Sequence, residues 1–170
     1  MYVKNASGKC CRCTRVYRHP KANEKKHTWT LLRRLVGLSS LSWLCFGDFN
    51  KILNPNEKIR GVDRNANLIA EFRDVVLDCK LIDLGSKGHP FTWCNRKFRP
   101  FCIEEKLDRF FCNEECRTEF HDDAATNLIH WEFDHCPIMM EVRERQRSLV
   151  YEIRNFNRIY YEDMWSSYEE

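Results

Sequence analysis

The sequence predicts an α/β layered fold with mixed sheets. Helix-period segments precede and follow a short apolar run, and several further strand-sized runs then follow one another across short connections. A doubly wound nucleotide-binding fold is disfavoured, because helices do not separate nearly all the strands and no Gly-rich phosphate turn is present. The 170 residues suffice for one domain with its own core, and 43% apolar with 31% charged residues is a globular composition. No apolar stretch approaches a membrane span, and the N-terminus lacks the apolar run of a secretory signal, so an intracellular protein is expected. A net charge of +3 is too weak to announce nucleic acid by itself.

Residues 23–36 carry Trp29, Leu32, Leu35 and Val36 on one helical face, with Asn23 as N-cap. Residues 42–47 then read as a strand covered on both faces, since Trp43, Leu44, Cys45 and Phe46 are all apolar and a turn signal follows. A polar loop with Pro and Gly breakers occupies 54–67. Leu68, Phe72, Val75, Val76 and Cys79 mark a second amphipathic helix. Beyond it, 81–85 and 90–95 are short strand-like runs separated by the turn signal Gly85 to Gly88. Residues 102–113 read as one more strand, followed by a short helix capped by Asn113. Residues 125–130 and 137–143 read as two further strands, and a helix is expected near 158–170.

Ten cysteines are many for an intracellular chain, yet they are scattered rather than framed as in a small secreted scaffold. The pairs Cys10-x-x-Cys13 and Cys112-x3-Cys116 have the donors for zinc. Nearly a hundred residues separate them and no ribbon pattern surrounds either, so zinc is disfavoured against reduced, mostly buried thiols.

Polar residues gather where strands end. Asp48 and Asn50 follow the apolar strand, Asp108 lies just before Arg109, and Asp134 with His135 sits between the last two strands. Each has an ordinary explanation as a turn former or surface charge. Together they are the parts that phosphodiester hydrolysis needs: a hard oxygen ligand for a divalent cation, a group that orients water, and donors to the developing phosphoryl charge. Asp134 suits Mg²⁺, Asp48 suits water, Asn50 suits a phosphate oxygen or the metal's surroundings, and His135 suits donation to phosphate with Asp108 as its partner.

The blocks "WLCFGDFNKIL", "FTWCNRK", "EEKLDRFF" and "FDHCPIMM", in this order, resemble the endonuclease/exonuclease/phosphatase (DNase I-like) superfamily. More closely they resemble the endonuclease domain of plant LINE-type non-LTR retrotransposons. The resemblance also takes in "YRHP" at 17–20 and "RIYYEDMW" near the C-terminus. It implies part of a four-layer α/β sandwich, with residues 14–143 as the C-terminal portion of such a domain. Residues 1–13 are then a Cys-rich lead-in and 144–170 a charged, aromatic tail. It implies a Mg²⁺-dependent phosphodiesterase, with Mn²⁺ as a substitute, acting on DNA, with nuclear access but no targeting signal of its own. Asp48, Asn50, Asp108, His135 and Tyr17 match the family's catalytic positions. Asp134 matches a metal ligand, with Asp48 and Asn50 as further candidates, and Asn50 and His135 match substrate contacts.

Departures accompany the match. Arg18 and Phe133 stand where glycine and serine are usual. The half-domain that carries the family's metal-binding glutamate is expected to be missing. The resemblance therefore implies weak metal affinity and a sheet face that lacks cover, which favours a protein partner or aggregation. The alternative it leaves is a catalytically inactive remnant, at most a weak nucleic-acid- or protein-binding module.

Overall fold

The computed structural model describes residues 1–4, 10–17, 25–38, 40–119, 124–128, 133–141, 143–144 and 147–148. The expected cap Asn23 and the expected helix near 158–170 lie outside them. Strand β1 (Tyr2–Lys4) pairs antiparallel with β2 (Cys10–Tyr17). Helix α1 (Lys25–Val36) then crosses to β3 (Ser42–Asp48), which runs parallel to β2. A short 3-10 turn at Pro55–Glu57 and strand β4 (Lys58–Ile59) lead to α2 (Ala66–Asp78). Strands β5 (Ile82–Asp83), β6 (Lys87–Gly88), β7 (Trp93–Cys94), β8 (Glu104–Glu105) and β9 (Asp108–Cys112) follow. Helix α3 (Glu114–Glu119), β10 (Ala124–Asn127) and β11 (Ile138–Glu141) come next. A small ribbon of β12 (Arg143–Glu144) and β13 (Arg147–Ser148) completes the described chain.

The main sheet has the order β1-β2-β3-β9-β5, a second has β11-β10-β6, and a third has β4-β8-β7. Both parallel and antiparallel pairs occur, so the sheets are mixed as expected. Alternation along the strands gives the main sheet two apolar faces. On one, Val16, Trp43, Cys45 and Phe111 pack with Trp29 and Leu32 of α1 and with Phe72 and Val75 of α2. Trp29 stacks on Phe72 at 5.1 Å between ring centroids. On the other, Cys11, Cys13, Phe46, Phe110 and Cys112 pack with Cys116 of α3, Ala125 of β10 and Met140 of β11.

Several elements differ from the expectation. Residues 1–13, read as a lead-in, hold β1 and the start of β2, and the polar loop at 54–67 contains the 3-10 turn and β4. The turn signal at 85–88 contains β6, which pairs parallel with β10. The single strand expected at 102–113 is two strands in different sheets. Lys106 N–H still donates to the Glu57 carbonyl (2.9 Å), one step beyond the Lys58–Glu105 pair, whereas the next two N–H groups, of Leu107 and Asp108, turn to Thr92 Oγ1 (2.9 and 2.8 Å).

The zinc quartet is not assembled. Residues i and i+3 of a strand lie on opposite faces, so Cys10 and Cys13 of β2 cannot meet at one ion. Among the described residues no group of three or more His, Cys, Asp or Glu is placed to hold a metal.

Candidate active site

Register brings the site together. At one end of the main sheet Tyr17 stands beside Asp48, and Asp48 stands beside Asp108. Alternation puts all three side chains on the face that carries Phe46 and Phe110. The close approach of β2 and β3 just before this row depends on Gly47. It has φ +126°, and a Cβ there would stand well inside contact distance of the Val16 carbonyl oxygen.

Asp48 Oδ1 accepts the Asn50 N–H at 2.7 Å, closing a turn in which Asn50 takes a left-handed backbone with φ 48°. Asn is among the few non-glycine residues that adopt this conformation readily. Phe49, between them, is fully buried against Phe72 and Phe111. The "GDFN" loop is thus anchored through Phe49, while Asp48 and Asn50 flank the anchor.

The Asp134–His135 loop is held from the other side by β7. Cys136 N–H donates to the Thr92 carbonyl at 2.7 Å, and Cys94 N–H donates to the Asp134 carbonyl at 2.9 Å. Trp93 Nε1–H donates to Asp134 Oδ2 at 3.3 Å. His135 Nδ1 then lies 2.8 Å from Asp108 Oδ2. A carboxylate only accepts, so Nδ1 carries the proton and Nε2 is the ring atom available to a substrate. Burial works against the charged ring. The hydrogen bond and charge of Asp108, with the fields of Asp48 and Asp134, nevertheless hold its pKa above the ordinary value.

The structure therefore brings Tyr17, Asp48, Asp108 and His135 to one sheet end, with Asn50 and Asp134 on the adjoining loops. Tyr17, at 67% exposure, is open to solvent. Phe133, in the position before Asp134, is exposed. Among the described residues no three His, Cys, Asp or Glu side chains of this group are placed to hold one ion.

Two supporting residues carry no function in the sequence reading. Thr92 is fully buried, and its Oγ1 accepts N–H bonds from both Leu107 (2.9 Å) and Asp108 (2.8 Å). Arg109 is buried too. It binds Glu57 Oε2 (2.9 Å), Asp83 Oδ2 (2.8 Å) and the Lys106 carbonyl (2.8 Å). Glu57 in turn accepts the Leu53 N–H, so Arg109 ties β9 to the loop that follows Asn50. The available signal was a Thr inside the apolar "PFTW" run and an Arg inside "DRFF".

A main sheet with α1 and α2 on one face and α3 with the β11-β10-β6 sheet on the other is an α/β sandwich of the DNase I-like type. A structure of beta toxin 275–280 from Staphylococcus aureus is similar, with a TM-score of 0.52 at 16% identity. The match covers 84% of this chain and 56% of that chain, so the chain spans little more than half of that structure's length. No protein-family model and no curated protein matches the sequence. Among the described residues no helix is long and apolar enough to cross a membrane.

Proposed function

We propose that the chain carries the phosphoryl-binding side of a phosphodiesterase site, from a DNA endonuclease domain of the kind found in plant LINE-type retrotransposons. The observation that carries this reading is the Asp108–His135 pair, 2.8 Å apart, beside Asp48 in the sheet register. Asp108 fixes the ring and favours imidazolium, so His135 Nε2–H donates to a phosphoryl oxygen as negative charge develops there. Asp48 orients the attacking water, Asn50 supplies an amide to the phosphate, and Tyr17 meets it from β2. A hard cation, magnesium or manganese, would draw on Asp134, with Asp48 and Asn50 near it, and on a ligand from outside this set.

DNA is favoured over a small phosphodiester by the loop at 95–103. Asn95 braces it, donating to the Phe101 carbonyl (2.9 Å) and accepting Ile103 N–H (2.9 Å). Phe98 and Phe101 are 93% and 71% exposed at its tip, with Arg96, Lys97 and Arg99 in the same stretch. Exposed aromatics among cations suit base stacking and phosphate contact together. Supercoiled plasmid incubated with Mg²⁺ should be nicked, and Asp48→Asn or His135→Ala should abolish nicking.

A second reading, a catalytically inactive remnant that is at most a weak nucleic-acid- or protein-binding module, is favoured by Phe133, a bulky apolar residue directly before Asp134 and His135. It predicts DNA binding that weakens steeply with salt and no nicking at any Mg²⁺ concentration.

A further inference from the structure

Trp93 lies where the three segments of the site converge. Its half-buried ring packs against the apolar cluster of Ile52, Ile69 and Leu107. Ile52 comes two residues after Asn50, and Leu107 comes directly before Asp108. On the edge of β7 away from β8, Trp93 stands opposite His135 in an antiparallel bridge. The flanking bonds run from Cys94 N–H to the Asp134 carbonyl and from Cys136 N–H to the Thr92 carbonyl. Trp93 and His135 are therefore the non-hydrogen-bonded pair between them, the arrangement in which Cα atoms approach to about 4.5 Å and side chains share a face. The indole Nε1–H then ends on Asp134 Oδ2 at 3.3 Å.

The apolar contacts alone would be served as well by a phenylalanine. What sets the tryptophan apart is its one donor, and that donor is directed at a carboxylate of the site. A lysine or arginine in this place would pair off the Asp134 charge. The neutral indole instead orients the carboxylate and leaves its charge intact. Because the ring is seated on neighbours of Asn50 and Asp108, its position follows theirs, and the 134–135 loop follows the ring.

We infer that Trp93 is a positioning residue of the site: its ring registers the Asp134–His135 loop against Asn50 and Asp108, and its N–H orients the Asp134 carboxylate. The effect of this on phosphodiester cleavage rests on the function proposed above, whereas the contacts themselves do not. A site assembled from three separate segments needs such a common seat, since a small misplacement of one reacting group lowers the rate steeply.

Proton–nitrogen NMR spectra of the full-length protein should show five indole N–H signals, one per tryptophan, and Trp93→Phe identifies the Trp93 signal by its loss. In Asp134→Ala that signal should move upfield, because a hydrogen bond to a carboxylate deshields the proton. In Trp93→Phe the His135 Nδ1–H, which donates to Asp108, should exchange with water faster than in the wild type. Circular dichroism and the urea midpoint of each variant show that it is folded. In plasmid nicking with Mg²⁺, Trp93→Phe should lower turnover at saturating DNA by about tenfold and leave KM unchanged, the mark of a misplaced group rather than a lost DNA contact. An indole signal unmoved by Asp134→Ala, a His135 Nδ1–H that exchanges no faster, or wild-type turnover in Trp93→Phe would each overturn the inference. A wild type that nicks nothing, with both spectral changes present, would instead overturn the phosphodiesterase reading and leave the positioning role of Trp93 standing.

Discussion

At Gly47 and Asp48 two constraints meet in adjacent residues. The first admits β2 close to β3 because it has no Cβ, and the second closes the turn to Asn50 through its carboxylate. Gly47→Ala should cost about 2 kcal/mol or more, combining a disfavoured φ with a clash against backbone, as read from the urea midpoint. At His135 the Asp108 partner sets the charge. Asp108→Asn should lower the His135 pKa, seen as an earlier loss of the imidazolium signal when pH is raised in an NMR titration. The folded pKa lies above the unfolded value, so this pair's stabilising contribution is complete below the ordinary His range near 6.5. It is lost as pH rises through the folded value, and Asp108→Asn should flatten that part of the stability profile. That Asp48, Asn50, Asp108 and His135 lie near one another at strand ends was legible from the blocks that carry them. That the Asp48 carboxylate closes the turn to Asn50 was open, since the residue types suit both a turn and a site.

Among the elements, β9 does most to place the site. Its first residue, Asp108, is held by Thr92, and its second, Arg109, is held by Glu57 and Asp83. Thr92→Val keeps the shape and removes the acceptor for two N–H groups, so it should cost about 2 kcal/mol in denaturant unfolding, with Thr92→Ser close to wild type. Arg109→Met leaves two carboxylates facing a vanished cation. It should destabilise by about 3 kcal/mol, reduced to the extent that Glu57 and Asp83 reach solvent. Neither role was readable in advance. Residues 102–113 look like one apolar-alternating strand, and the break after Lys106 is made by the Thr92 hydroxyl, about 15 residues upstream. The β1–β2 pair was missed for a similar reason: a Cys- and Arg-rich run has little strand signature until its neighbours bury it. The two amphipathic helices were placed from their local period, although on α2 Leu68, read as part of the apolar face, is exposed and Ile69 is buried in its stead.

On the scale of the whole molecule, one central sheet separates two apolar layers, and its strand ends gather the polar residues. Mixed sheets between helices were foreseeable from element order, whereas the second layer, built from α3, β10 and β11, depends on long-range pairing. The aromatic and basic loop at 95–103 gives this scale its own prediction. Phe98→Ala with Phe101→Ala should weaken single-stranded DNA binding, measured by fluorescence anisotropy, by about tenfold or more, while the salt slope set by the cations stays unchanged. The central claim is that the Asp48, Asp108 and His135 constellation hydrolyses phosphodiesters, and plasmid nicking tests it most directly. Purified protein with Mg²⁺ should convert supercoiled DNA to the nicked form, and Asp48→Asn and His135→Ala should each abolish conversion. Supercoiled DNA left intact by the wild type at every Mg²⁺ concentration, or nicking undiminished by both substitutions, would contradict it.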